Sequence, residues 1–245
     1  MSGEEKSELV LLHGWGTHPG IWQDLADRLA ADFSVRMPEL ASEEALPSMA
    51  DVVDRLAAAS PRRCMVAGWS LGGQLALAWA QRHPQQIERI VLLASTPRFV
   101  AAPDWPEGLA AAIFAEFTVQ LETDPAGTLK RFRLLQASGD TQARAVARRL
   151  EAVADLQRAP EPEVLERTLG WLGSNDLRDT LPAVAQPVLL LHGTEDRLVN
   201  PAASAYMLKQ MADARMKLIS GAAHAPFISQ PDKVCRQMIG FFHEQ

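Results

Sequence analysis

A serine lies between glycines in the run Gly68-Trp69-Ser70-Leu71-Gly72-Gly73, after an apolar stretch and before an apolar helical pattern. Glycines on both sides let a strand turn sharply into a helix, which leaves the serine exposed on a strained backbone. The N-terminus of the helix adds a positive field that would stabilise a developing oxyanion. The alternative interpretation is a glycine-rich turn whose serine only caps the helix. The flanking strand and helix patterns favour a serine nucleophile.

A serine nucleophile needs a base, and neutral histidine is the usual one near pH 7. Among the six histidines, His224 lies in the small-residue run GAAHAPF, directly after the last apolar stretch. We interpret His83, at a helix end, and His243, in the polar C-terminal tail, as surface residues. His13 and His192 each precede a glycine at a strand end, and we expect them to shape loops. His224 is therefore the predicted base.

The base in turn needs a carboxylate that orients it. Asp196 follows the apolar run 187–191 in a polar loop, where it could accept a hydrogen bond from the second nitrogen of the imidazole. Its neighbour Glu195 reads as a solvated loop charge, and Asp176 is a more distant alternative. With Asp196 the chain order is Ser, Asp, His, an order known for serine nucleophiles on strand-to-helix turns.

Acyl transfer also requires backbone N–H groups directed at the oxyanion. Leu71 supplies one, next to the nucleophile, and Trp15 could supply a second from the run His13-Gly14-Trp15-Gly16 after the first apolar stretch. By itself this run could be an ordinary glycine turn. It has neither phosphate-loop nor dinucleotide-binding spacing, and no cluster has metal-ligand spacing, so we expect no cofactor and no metal.

The elements that must position these residues alternate between short apolar runs and helical patterns, which predicts an α/β fold with a mostly parallel sheet covered on both faces. The predicted strands are residues 8–12, 34–37, 64–68, 89–94, 187–191 and 215–219. The predicted helices are residues 21–31, 49–59, 71–82, 201–211 and 231–242. Four further helical patterns, at 107–121, 125–137, 141–154 and 161–172, interrupt the alternation. We therefore predict a core of residues 1–97 and 181–245 with an inserted helical cap at 98–180.

The bulk properties are those of a globular protein: 245 residues, 47% hydrophobic and 22% charged, with a net charge of −6. The net charge argues against general nucleic-acid binding. Two cysteines are too few for a disulfide framework. No apolar run approaches membrane-spanning length, and no signal-peptide pattern opens the chain. We expect a cytoplasmic monomer that acts on small molecules and binds neither nucleic acid nor membrane.

The predicted cap is basic in an otherwise acidic chain. Residues 126–149 contain six cations, Lys130, Arg131, Arg133, Arg144, Arg148 and Arg149, against the single acid Asp140. Arg144 and Arg148 are four residues apart and share a helix face. A pair of solvated amphipathic helices is one interpretation. Because the segment borders the predicted active site, it also favours an anionic partner or substrate.

Taken together, residues 9–242 resemble the α/β-hydrolase carboxylesterases of biotin synthesis that hydrolyse pimeloyl-[acyl-carrier protein] methyl ester. The resemblance lies in LLHGWG (11–16), GWSLGG (68–73), RFRLLQASGDTQARAVAR (131–148) and AAHAPFIS (222–229). It implies a methyl ester carried by acyl carrier protein through phosphopantetheine.

The resemblance also assigns site residues. The triad falls on Ser70, Asp196 and His224, and the oxyanion site on Trp15 and Leu71. The substrate-contacting run is Phe132, Arg133, Leu134, Leu135 and Gln136, and the arginines that receive the carrier protein are Arg131, Arg144 and Arg148.

Two departures from the family pattern are visible. A further family arginine falls on Gly127, and Lys130 or Arg149 would have to compensate for it. After Met37 the family has a glycine-containing loop, whereas this chain has the shorter run Pro38-Glu39-Leu40-Ala41-Ser42. Neither departure touches the triad.

The residues leave other functions open. One alternative is another hydrolase chemistry: a broad small-ester esterase, a C–C hydrolase or an acyltransferase. A haloalkane dehalogenase is disfavoured, because Ser70 stands where that enzyme has an aspartate nucleophile. The non-enzymatic alternative is a ligand- or carrier-protein-binding module, against which the complete triad argues.

Overall fold

The computed structural model describes residues 6–40, 48–155 and 161–244. Within these ranges the strands form one sheet of six. The strands are β1 (Ser7–Leu12), β2 (Phe33–Arg36), β3 (Cys64–Trp69), β4 (Ile87–Leu93), β5 (Val188–Gly193) and β6 (Ala214–Ile219). All neighbours are parallel, in the order β2-β1-β3-β4-β5-β6. The six predicted strands are therefore present, with ends that differ by at most two residues.

The helices follow the predicted alternation. They are α1 (Gln23–Leu29), α2 (Met49–Ala59), α3 (Leu71–Arg82), α4 (Ala111–Thr123), α5 (Pro125–Ala137), α6 (Ala143–Asp155), α7 (Pro162–Ser174), α8 (Ala202–Gln210), α9 (Pro226–Ser229) and α10 (Pro231–Phe242). Short 3-10 helices at Pro19–Trp22 and Arg178–Ala183 precede α1 and β5, respectively. None of the described helices is long and apolar enough to span a bilayer.

Alternate residues of each central strand enter two separate hydrophobic clusters, one on each face of the sheet. In β1, Val10 and Leu12 belong to the cluster that contains α2, α3 and α8, whereas Leu9 and Leu11 belong to the cluster that contains α1 and α10. This pattern explains why continuous apolar runs form the strands: both faces are covered. The edge strand β6 differs, since Leu218 is 52% exposed.

The inserted helices α4–α7 come between β4 and β5 and extend these two clusters. Buried residues of α4 and α7, with Leu129 and Phe132 of α5, join the α2–α3 side, whereas Ala137 at the end of α5 and the buried residues of α6 join the α1–α10 side. The first inserted helix begins at Ala111, not at the predicted residue 107. The preceding segment instead makes isolated bridges that pair Val100 with Leu109 and Ala102 with Trp105. The division of the chain at residues 98 and 180 stays a prediction.

Candidate active site

Ser70 lies on the sharp turn between β3 and α3, with φ 55° and ψ −116°. A non-glycine residue rarely adopts a positive φ, so the backbone here is strained. The turn is held by two hydrogen bonds: Ser70 N–H donates to Leu93 O (3.0 Å), and Ser95 Oγ donates to Ser70 O (2.8 Å). These two hydrogen bonds stabilise the strained conformation, so that Ser70 stays at the carboxyl edge of the sheet.

The glycines of this turn are required by close backbone contacts. A Cβ on Gly68 would lie 2.3 Å from Gly72 O, and one on Gly72 would lie 2.2 Å from Leu12 O. Real Cβ atoms do not approach carbonyl oxygens this closely, so α3 can begin directly against the end of β1 only with glycine at position 72. The close approach brings the first turn of α3 beside the loop that follows β1.

His224 and Asp196 form a buried pair after β6 and β5. The distance from His224 Nδ1 to Asp196 Oδ2 is 2.8 Å, and both side chains are 0% exposed. Since a carboxylate faces Nδ1, this nitrogen carries the proton of the neutral ring and Nε2 carries the lone pair. His224 Nε2 is buried and has no hydrogen-bond partner among the described residues. The imidazole is therefore prepared to accept a proton at Nε2.

The carboxylate of Asp196 is kept ionised by its donors. Its Oδ1 accepts the N–H groups of Leu198 (2.9 Å) and Val199 (3.0 Å). Burial raises the pKa of Asp196, but the interactions with His224 and His192 outweigh it, and the pKa lies well below its usual value. A charged acceptor is thus maintained next to His224.

The alternative acids lie in other surroundings. Glu195 is exposed and accepts a hydrogen bond from Thr194 Oγ1. Asp176 forms ion pairs with Arg98 (2.7 Å) and Arg178 (2.6 Å), and the hydrogen bonds from these two arginines lower its pKa. Of the three carboxylates weighed from the sequence, only Asp196 contacts the imidazole of His224.

The other histidines differ in one case from the sequence interpretation. His13 shapes the loop after β1, as expected: its Nδ1 donates to Gly14 O (3.0 Å), and its Nε2 accepts the N–H of Leu40 (3.3 Å). His83 bonds Asp54, and His243 is exposed. His192, however, does more than shape a loop, because its Nε2 lies 3.1 Å from Asp196 Oδ2. Its only sequence signal was its position four residues before the acid.

The predicted oxyanion residues line one cavity at the carboxyl edge of the sheet. Leu71 is the first residue of α3, so no carbonyl of a preceding helical turn reaches its N–H. Trp15 is 2% exposed, and its Nε1 donates to Leu165 O of α7 (3.1 Å). The cavity is narrow, about 20 Å³, and α7 forms one wall of it with Val164, Leu165, Thr168 and Trp171. These four residues of α7 were not identified from the sequence.

The five residues of α5 predicted to contact the substrate lie on different sides of the helix. The buried ring of Phe132 packs edge-on against Trp15, with 5.0 Å between centroids. Gln136 is 1% exposed, its Oε1 has no partner among the described residues, and its carbonyl accepts the N–H of His224 (3.3 Å). By contrast, Arg133 bonds Glu151 (2.7 Å), and Leu134 and Leu135 are 56% and 39% exposed. The helix therefore brings Phe132 and Gln136 to the site, but not the other three.

The predicted docking arginines lie on the outer surface of α5 and α6. Arg144 and Arg148 are exposed on one face of α6. Arg131 is also exposed but is held by Thr128 Oγ1 (2.8 Å) and Asp124 (3.5 Å). Of the two cations that would have to compensate for Gly127, Lys130 is exposed, whereas Arg149 pairs with Asp24 (3.3 Å).

The two departures from the family pattern have local structural contexts. The N–H of Gly127 donates to Asp124, and a Cβ at position 127 would lie 2.0 Å from the Asp124 carboxylate. An arginine here would require the side chain of Asp124 to move. In the shortened loop, Leu40 lines the cavity and its N–H donates to His13 Nε2 (3.3 Å). Residues 41 and 42 lie outside the described part of the chain.

The turn between α5 and α6, residues 138–142, is hydrogen-bonded to the loop that carries His224. Asp140 Oδ2 accepts the N–H of Ala223 (2.8 Å), and Thr141 N–H donates to Gly221 O (2.9 Å). A Cβ on Gly139, which has φ +94°, would lie 2.6 Å from Glu195 O. The turn thus packs against both the base loop and the acid loop.

No group of three or more His, Cys, Asp or Glu side chains within the described ranges could hold a metal ion. What the site does contain is a strained serine, a histidine with a free buried nitrogen and an ionised carboxylate, at one edge of a parallel sheet. This combination suits nucleophilic acyl transfer. The α/β hydrolase family model matches residues 9–237, and the chain belongs to that family.

Within this family the chain is similar to the pimeloyl-[acyl-carrier protein] methyl ester esterases. The esterase of Nitrosospira multiformis is 37% identical over 249 residues, which cover 97% of this chain and 95% of the relative. That of Aromatoleum aromaticum is 39% identical over 237 residues, which cover 93% and 94%. The resemblance recognised in the sequence is confirmed.

Solved structures agree on the fold. An esterase from Exiguobacterium antarcticum superposes with a TM-score of 0.87 at 17% identity, covering 98% of this chain and 93% of its own. The enol-lactonase from Burkholderia xenovorans superposes with a TM-score of 0.81 at 21% identity, covering 100% and 94%. The predicted α/β-hydrolase fold is therefore confirmed.

Proposed function

We propose that this chain is a carboxylesterase that hydrolyses the methyl ester of pimeloyl-[acyl-carrier protein], releasing methanol and pimeloyl-[acyl-carrier protein] in biotin synthesis. The observation that carries the proposal is the buried His224–Asp196 pair, 2.8 Å apart, at the same sheet edge as the strained Ser70 turn. The substrate is proposed from the esterase relatives, which match nearly the whole chain.

In the proposed reaction, Ser70 Oγ attacks the ester carbonyl while His224 Nε2 takes its proton. The N–H groups of Trp15 and Leu71 stabilise the tetrahedral oxyanion. His224 returns the proton to the methoxide, methanol leaves, and an acyl-enzyme remains. A water molecule then gives a proton to His224 and attacks the acyl carbon. As the bond to Ser70 Oγ breaks, His224 passes this proton to Oγ, which releases the acid and restores Ser70 and the neutral base.

The remaining predicted residues have roles in substrate handling. The edge-packed rings of Trp15 and Phe132 offer an apolar surface for the acyl chain. The exposed arginines Arg144 and Arg148, with Arg131, offer a cationic surface to the acidic carrier protein. In this proposal α5 presents Phe132 inward and Arg131 outward, so that one helix contacts both parts of the substrate.

The test compares two substrates, methyl pimeloyl-carrier protein and a short p-nitrophenyl ester. In the double variant Arg144→Glu/Arg148→Glu, we expect kcat/KM on the carrier-bound ester to fall by about 30-fold at low salt, because attraction becomes repulsion. The loss should shrink as ionic strength rises, since exposed charges are screened over roughly 10 Å at 0.1 M salt. The rate on the p-nitrophenyl ester should barely change.

Two controls complete the test. The double variant Arg62→Glu/Lys209→Glu changes the net charge equally, at exposed positions just before β3 and near the end of α8, away from the serine edge. It should leave both activities nearly intact. Ser70→Ala should abolish both, with a loss of about 10⁴-fold or more in kcat. Equal losses on both substrates in the arginine variant would contradict carrier docking, and a tenth of the activity in Ser70→Ala would contradict the nucleophile.

A further inference from the structure

His192 is a fully buried histidine that bonds the same carboxylate oxygen as the proposed base, His224. Asp196 Oδ2 lies 2.8 Å from His224 Nδ1 and 3.1 Å from His192 Nε2. His192 is at the end of β5, and its side chain is 0% exposed. The carboxylate therefore receives hydrogen bonds from two imidazoles on one oxygen, while backbone N–H groups occupy the other.

The surroundings of His192 select one tautomer. Its Nε2 faces Asp196 Oδ2 and, at 3.0 Å, the carbonyl of Val199, and both groups can only accept. Nε2 must therefore carry a hydrogen. Its Nδ1 lies 2.7 Å from Ser204 Oγ, a buried hydroxyl on α8 that can donate to the bare nitrogen. The neutral ring with hydrogen on Nε2 satisfies every partner.

We propose that His192 is a positioning residue: through its Nε2–H it holds the carboxylate of Asp196 in place and limits how strongly that carboxylate attracts the proton on His224. The inference rests on the proposed function for the role of the triad. Ser204 acts behind His192, because its hydroxyl keeps the ring in the donating tautomer. The chain Ser204–His192–Asp196–His224 thus links α8 to the base.

The proposal predicts in which direction the pKa of His224 changes when His192 is replaced. A carboxylate oxygen with two donors offers less electron density to each, so removal of one donor strengthens the bond to the other. Loss of the His192 N–H should therefore stabilise the imidazolium of His224 and raise its pKa. Two carboxylates bond this part of the chain: Asp196 bonds His224 directly, and Asp140 accepts the N–H of Ala223, the residue before His224. Neither changes in the variants below.

A pair of amide substitutions isolates the Nε2 atom. In His192→Gln the terminal amide reaches the place of Nε2 and can donate to Asp196, whereas in His192→Asn it reaches only the place of Nδ1 and Ser204. Both variants remove the ring and keep a polar amide, so they share any general effect of the substitution. Only the asparagine leaves Asp196 without its second side-chain donor.

The experiment measures the acid limb of the pH profile of kcat/KM on a short p-nitrophenyl ester, and the titration of His224 by NMR without substrate. For His192→Asn we expect the acid limb and the NMR titration of His224 to move to higher pH, with a loss of about 10-fold in kcat. His192→Gln should restore most of both values. Ser204→Ala should cause a smaller shift in the same direction.

Equal pKa values for His224 in wild type, His192→Asn and His192→Gln would overturn the proposal, as would a downward shift in the asparagine variant. The NMR titration needs no turnover, so it tests His192 independently of the esterase assignment. If Ser70→Ala retains activity while His224 still shifts in His192→Asn, the proposed function fails and the positioning role stands.

Discussion

Replacement of Asp140 by alanine tests whether the inserted helices hold the base in place. The carboxylate of Asp140 accepts two backbone N–H groups, from Ala223 (2.8 Å) and from Gln142 (2.7 Å) in the turn that leads into α6. Ala223 immediately precedes His224 and is 1% exposed. Truncation of Asp140 therefore leaves a buried donor without its partner beside the proposed base.

The expected size of the effect follows from these two bonds. A buried N–H left without a partner costs about 1–3 kcal/mol. Loss of the second hydrogen bond, from the N–H of Gln142, costs about 1 kcal/mol. We therefore expect Asp140→Ala to lower the free energy of unfolding by about 2–4 kcal/mol. Because a displacement of about 1 Å in a catalytic group can cost 10²-fold, kcat on a small ester should fall by roughly 10- to 100-fold.

Asp124→Ala provides a matched control. Asp124 likewise accepts a backbone N–H at the start of an inserted helix, that of Gly127 in α5 (2.9 Å), but it is exposed and bonds no part of the base loop. It should cost about 1 kcal/mol of stability and leave small-ester turnover unchanged. Urea denaturation and steady-state kinetics on a p-nitrophenyl ester measure both effects. If Asp140→Ala loses no more stability and activity than Asp124→Ala, the hydrogen bond between Asp140 and Ala223 does not position His224.

Two further substitutions test the acid and the serine turn. Asp196→Asn should keep the fold but favour the wrong tautomer of His224, with a loss of about 10⁴-fold in kcat; near-normal turnover, with Asp176→Asn inactive, would assign the acid to Asp176. In Gly72→Ala the new methyl would lie 2.2 Å from Leu12 O, so we expect a loss of about 1–3 kcal/mol by denaturation together with reduced esterase activity. Gly240→Ala, where nothing lies within 4 Å, should be neutral or stabilising, and equal behaviour of the two variants would refute the close contact.

Local sequence determined the serine turn and its flanking elements. β3, Ser70 and α3 are contiguous in the chain, and the glycines that the turn requires are only two residues from the serine. The strands could likewise be predicted from their apolar runs, because burial on both faces leaves little freedom in residue type. The edge strand β6 was found as well, although one side of it is open to solvent.

Only the tertiary structure decided which side chains, distant in sequence, bond the same acceptor or line the same cavity. The position of His192 on the same oxygen as His224 depends on β5 and the loop after β6 meeting at one edge, across 32 positions of sequence. Likewise, the split of α5 into an inward Phe132 and an exposed Leu134 follows from how the helix packs on Trp15. Periodicity shows that a helix has an apolar face, but long-range packing determines what that face meets. The backbone N–H of Ala223 donates to the carboxylate of Asp140, and because every residue except proline carries such a donor, the residue type at position 223 gives no signal of this bond.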